Sequence, residues 1–147
     1  MNARPCCRRW MAIALSALVS LMIATPVLAK SREKILSETL RTYAATIRWG
    51  TIEQAESFVD PVYRAAHPLT QLELDRYKQV RFTNYNDRAP VPVNDDEVNQ
   101  TVEIGIVNVH TQEARSFVDR QVWKYDRKAK VWLLSSGLPD IAGLSGR

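Results

Sequence analysis

The chain has 147 residues, with 20 Lys and Arg against 16 Asp and Glu, two cysteines and two histidines. It holds no internal repeat or low-complexity segment, and its basic excess sits mostly in the first 29 residues, which removes the main support for a nucleic-acid partner. Cys6 and Cys7 lie there too, so the remainder is expected to have no disulfide, no thiol nucleophile and no thiolate metal site.

Those 29 residues read as a secretory signal peptide. Arg4, Arg8 and Arg9 supply a positive start, residues 10–29 carry no charge, and Pro26 precedes Val27-Leu28-Ala29, which suits cleavage before Lys30. The product is expected to be periplasmic or secreted. If the segment stays attached it is about long enough to anchor the chain in a membrane, since a span takes roughly 20 residues. Arg8-Arg9 reads as ordinary positive charge rather than a twin-arginine signal. No cysteine follows the apolar run to accept a lipid. Cleavage leaves 118 residues, Lys30–Arg147, with 17 basic against 16 acidic side chains. That length suits one domain, large enough to bury about two-thirds of its unfolded surface.

Along the mature chain, helices are expected first. Ser31 can cap a helix ending at Trp49, with Leu36, Leu40, Tyr43 and Ile47 on one face. Gly50 is expected to stop it in a left-handed cap. Thr51 and Gln54 form a capping box for a second helix with Ile52, Ala55, Phe58 and Val59 inward, closed by Pro61. Thr70 and Glu73 signal a third in the same way. From Val80 the period becomes two, with Val80, Phe82 and Asn84 alternating with Arg81 and Thr83. Ala89–Val93 contains two prolines and must be a loop or an edge. Residues 98–109 form a strand with Val102, Ile104 and Ile106 on one side. A switch to Val107 and Val109 beside Gly105 predicts a bulge. Residues 114–125 place Phe117, Trp123 and Tyr125 on one face and Val118 and Val122 on the other, and 131–135 return as the last strand. The predicted fold is α+β, with amino-terminal helices on the concave face of a curved antiparallel sheet.

This order of elements across residues 31–136 resembles the NTF2-like superfamily of cone-shaped α+β rolls, with cystatin-like rolls as the neighbouring alternative. The resemblance rests also on Gln121-Val122-Trp123-Lys124-Tyr125 facing Lys130-Val131-Trp132-Leu133-Leu134, and on Ile47-Arg48-Trp49-Gly50 ending the first helix. It implies a pocket between sheet and helices. In enzymes of that class the pocket carries Asp, His or Tyr for proton transfer. In other members it holds an apolar ligand or nothing, and the outer sheet face makes a dimer. Fold alone does not choose among these.

Asp119 is the leading candidate for chemistry. It shares a strand face with Phe117, Gln121, Trp123 and Tyr125. If that face is concave, aromatic surroundings would raise its pKa as a general base needs. If convex, it pairs with a cross-strand arginine in the open, and alternation leaves both readings standing. Tyr43 and Tyr85 are candidate pocket hydroxyls, though buried tyrosines usually just bridge core and rim. His110 falls in a hairpin turn and His67 in a link before Pro68. Either could serve as a general base, histidine being the residue type suited to that role, but catalysis needs a partner in reach. Arg48 and Trp49 suggest a stacked structural lock. Asn94–Glu97 lacks the alternate ligand spacing of a calcium loop. Asn99-Gln100-Thr101 matches a glycosylation sequon but sits inside a predicted strand, and neither a Gly-rich phosphate loop nor a catalytic triad is present.

The expectation is therefore a non-enzymatic exported domain, dimeric, binding a small apolar ligand or an envelope protein. Its pocket would be lined by Trp49, Phe58, Phe117, Trp123 and Tyr125. The alternative is a cofactor-free isomerase or dehydratase in which Asp119 is the base and Tyr43 or His110 polarises the substrate. A purely structural module would instead fill the cavity with Trp49, Phe58 and the sheet aromatics. No metal and no cofactor is expected.

Overall fold

A computed structural model describes residues 25–141, with side chains from 32 onward. The chain divides into two units, Met1–Lys34 and Ile35–Arg147. The described part of the first is the opening of a helix, and all strands and the other helices belong to the second. Most of the expected signal segment lies outside the described residues.

Helix α1 (Thr25–Trp49) already runs through Ser31, which is therefore not a cap. The expected cut after Ala29 falls within this helix. Leu28, Ala29, Lys30, Arg32, Glu33 and Lys34 are good helix formers and leave no break between them. From Ile35 on, the expected stripe holds, with Leu36, Leu40, Tyr43 and Ile47 all buried. Gly50 ends the helix for a different reason from the one expected, because its backbone is not left-handed. A Cβ there would meet Gln54 Oε1 at 2.7 Å and the Thr46 carbonyl at 2.8 Å, so glycine is needed for close approach.

Helices α2 (Ile52–Glu56) and α4 (Gln71–Lys78) both open on the expected capping boxes, Thr51 with Gln54 and Thr70 with Glu73. Between them lies α3 (Pro61–Ala66), which the sequence reading missed. Pro61 begins this helix rather than closing the previous one. Asp60 is its N-cap and accepts from the Val62 N–H, and proline at the first position gives up no helical hydrogen bond.

The sheet is antiparallel and strongly curled into a half-barrel. Strands β1 (Val80–Asp87), β3 (Glu97–Asn108), β4 (Ala114–Asp126) and β5 (Val131–Leu134) lie in that order, and β2 (Val91–Asn94) pairs with the start of β3. Thus β1 and β2 run along one edge of β3, and the proline-bearing β2 is an exposed edge strand as the two prolines require. The other edge is covered. Leu134 N–H donates to the Phe58 carbonyl at 2.8 Å, and Asp60 N–H donates to the Leu134 carbonyl at 2.9 Å.

The bulge lies on β1, not β3. Register passes from Phe82↔Ile106 to Asn84↔Gly105, leaving Thr83 as the extra residue. Gly105 makes room for it, since a Cβ there would sit 3.0 Å from both Thr83 Oγ1 and Asn84 Cβ. The bulge turns Tyr85 inward in place of Asn84, which is exposed. Along β3 the buried side stays on the even residues through Ile106, so no switch of face occurs.

Two apolar clusters fill the inner face. The larger joins Leu36, Leu40, Tyr43 and Ile47 of α1 to Ala55, Val59, Val98, Trp123, Trp132 and Leu134. The smaller is Val102, Ile104 and Ile106, with Val80, Phe82, Tyr85 and Phe117 packed around it.

Candidate functional site

Alternation along β4 puts Phe117, Asp119, Gln121, Trp123 and Tyr125 on the inner face, where Trp123 and Gln121 are fully buried. Asp119 is half-buried among them, opposite Val102 of β3. Its carboxylate oxygen Oδ2 accepts from Gln121 Nε2 at 2.8 Å. The same amide nitrogen donates to the Tyr85 hydroxyl at 3.0 Å, and Gln121 Oε1 accepts from Trp123 Nε1 at 3.1 Å. Gln121 is thus the hub of a polar line joining a carboxylate, a phenol and an indole. Burial raises the Asp119 pKa above its ordinary value, and the Gln121 hydrogen bond opposes that rise.

Tyr43 completes the cluster from the helix side. Its ring makes edge contacts with Phe58 and Trp123, at centroid distances of 5.5 and 5.2 Å. Its hydroxyl is buried without a hydrogen-bond partner, as is Gln100 Oε1 on the neighbouring strand. Burial pushes the Tyr43 pKa well above the tyrosine range. The negative charge of Asp119 adds to this, followed by Tyr85 and Tyr77. Tyr43 therefore stays protonated and can only donate or accept a neutral hydrogen bond. An inward carboxylate of raised basicity near such a hydroxyl is chemically able to take a proton while the phenol polarises an oxygen.

The other expected residues do not gather here. His110 is at the exposed tip of the β3–β4 hairpin, its backbone N–H donating to Asn108 Oδ1. Asp119 lies five residues along β4 from Ala114, roughly 17 Å by strand rise. His67 is exposed at the end of α3, stacked on Tyr63 with centroids 4.4 Å apart. Trp49 is 76% exposed and carries Arg48 over its ring at 4.9 Å, so the lock exists but stands in solvent rather than in a pocket. Phe58 packs against the larger cluster and Phe117 against the smaller. Tyr125 packs against Trp132 in a tilted arrangement, with centroids 5.2 Å apart.

Open space is found elsewhere. A cleft of about 420 Å³ lies between the end of α1, α2, the end of α4 and the start of β1, with Ile47, Ile52, Ala55, Val80 and Phe82 among its walls. A second cavity of about 290 Å³ lies between α3, α4 and residues 136–141, lined by Tyr63, His67, Arg76, Tyr77 and Asp140 among others. Asp119 lines neither, and Trp49, Phe58, Phe117, Trp123 and Tyr125 do not either. Tyr77 lines both, while its hydroxyl donates to the Pro139 carbonyl at 2.8 Å. Among the described residues no group of three or more His, Cys, Asp or Glu could hold a metal ion. No described helix is long and apolar enough to cross a membrane.

Sequence reasoning put Gln121 on the face of Asp119 but gave neither it nor Gln100 a role, and it missed the cleft. The two glutamines had a usable signal, since both fall at inward positions of their strands. The cleft had none, because it is assembled from four separate elements. Comparison with known proteins finds no matching family model, no matching curated protein and no matching solved structure.

Proposed function

We propose that the mature chain is an exported, roll-type binding domain of the NTF2-like kind that holds a small apolar ligand in the α1–β1 cleft. The observation that carries this is the cleft itself. Its volume of about 420 Å³ falls in the range of small-molecule sites, and its walls include the buried Ile47 and Ala55 and the half-buried Ile52, Val80 and Phe82. Export is supported by the charge and apolar pattern of residues 1–29, and the NTF2-like reading by helices preceding a strongly curled antiparallel sheet. Ile52→Trp places bulk in the cleft from a half-buried position. The variant is expected to keep the wild-type melting temperature and to lose binding of an apolar naphthalene dye at least about tenfold. A dye that binds the variant as well as the wild type would remove the cleft from the account.

A second reading has its own observation. Asp119, Gln121 and Tyr85 share the inner face of the sheet, and Tyr43 of α1, its hydroxyl unpartnered, packs against Trp123 of that face, which suits a cofactor-free isomerase or dehydratase with Asp119 as base and Tyr43 as the polarising donor. It predicts that the protein speeds loss of α-deuterium from an enolisable ketone and that Asp119→Asn abolishes this. No washout above the buffer rate would exclude it.

A further inference from the structure

The rim of the α1–β1 cleft differs from its floor. The floor residues Ile47, Ile52 and Phe82 are buried or half-buried, whereas Arg48, Lys78 and Arg81 are exposed around them. Glu53 is the one acidic residue in the lining. Three different elements deliver the cations: the last turn of α1, the last turn of α4 and the second residue of β1. Local causes account for part of this. A cation in a final helical turn complements the carbonyl end of the helix, and Lys78 also pairs with Asp75 at 3.0 Å. Arg81 is exposed by strand alternation, between the inward Val80 and Phe82, and it enters the rim of the cleft from the start of β1. Arg48 lies over the Trp49 ring, which leaves the edge of its guanidinium able to donate.

An apolar hollow edged by cations matches one ligand chemistry. We propose that the cleft takes a single-chain amphiphilic carboxylate, such as a medium-chain fatty acid. The hydrocarbon would lie on Ile47, Ile52 and Phe82, and the head group between Arg48 and Arg81, with Lys78 beside them. This rests on the reading of the cleft as the ligand site. Guanidinium groups suit it because their fork donates two parallel hydrogen bonds to a carboxylate. Positive potential over a concave apolar surface also draws an anion in before contact.

The test is a titration of the isotope-labelled full chain with decanoate, decanol and decylamine, reading backbone shifts at residues 47–55 and 80–82. Decanoate is expected to bind about fivefold tighter than decanol, as a few rim charge pairs allow. The advantage should shrink with added salt and vanish in the double variant Arg48→Gln/Arg81→Gln. The salt series on the unaltered protein decides the matter even if the variant is unstable. Decanol binding as tightly as decanoate, or decylamine tighter than both, would overturn the carboxylate assignment and leave the cleft as an apolar site. If none of the three moves these residues, both the assignment and the binding-site reading fail.

Discussion

The two apolar clusters of the inner face are built differently. In the larger, α1 and α2 cover the sheet, and Tyr43, Trp123 and Leu134 lose all contact with solvent. In the smaller, Val102, Ile104 and Ile106 are buried by the sheet alone, with half-buried Val80, Phe82, Tyr85 and Phe117 from the strands packed around them. Covered sheet is closed packing, where each side chain is held by many neighbours. The cleft opens where the two clusters meet: Ile47 and Ala55 in its walls belong to the larger cluster, Val80 packs against the smaller, and Phe82 packs against both. Between the two clusters runs the polar line of Asp119 and Gln121, with Gln100 opposite Gln121 in the β3–β4 register. On the reading proposed above, closed packing in the larger cluster supplies stability and the seam between the two supplies the ligand site.

The comparison would break first on large-to-small substitutions. Trp123→Ala should cost about 3–5 kcal/mol in urea unfolding, the range for a fully buried aromatic. Phe117→Ala, from a half-buried site, should cost less than half as much by the same measurement. Equal losses would mean that the two ends are packed alike. Next in size is the polar line. Gln121→Leu leaves Asp119, the Tyr85 hydroxyl and Trp123 Nε1 without their shared partner, and should cost about 1–3 kcal/mol. Capping comes after it. Thr51→Ala removes the side-chain acceptor for the Gln54 N–H at the edge of the cleft and should cost about 1 kcal/mol.

The smallest effect is expected from titration of Asp119. Its folded pKa lies above the ordinary value of 3.8, so folding favours the protonated acid. The stability it contributes is complete below about 3.8 and is lost as pH rises through the folded value. Asp119→Asn lacks this loss. Its melting temperature relative to wild type should therefore climb over that window and level off above it, measured from about pH 3 to about pH 8. Access to solvent at Asp119 and the opposing Gln121 hydrogen bond keep the effect modest. A relative melting temperature that falls with rising pH would mean that Asp119 is held as a stabilised carboxylate instead.

Legibility in the sequence followed the range of the physics involved. The α1 stripe and the Thr51 and Thr70 capping boxes depend on residues three or four apart, and all three were readable. The grouping of Asp119 with Trp123 was readable from alternation. Its inward direction was not, because a period of two does not say which side the helices cover. The bulge was anticipated at Gly105, but the extra residue, Thr83, is on the partner strand, and one strand's sequence does not reveal its neighbour's register. Helix α3 was lost by reading Pro61 as a stop. Asp60-Pro61 carries the N-cap and first-position signature of a helix start. The cleft joins side chains from residues 46 to 109 and had no local signal at all.

Native mass spectrometry of the protein purified from the cell envelope tests the central claim most directly. The account predicts a chain beginning at Lys30 that carries a small amphiphilic adduct, lost when Ile52 is replaced by Trp. A chain still carrying Met1–Ala29, or a mature chain with no adduct under gentle desolvation, would contradict it.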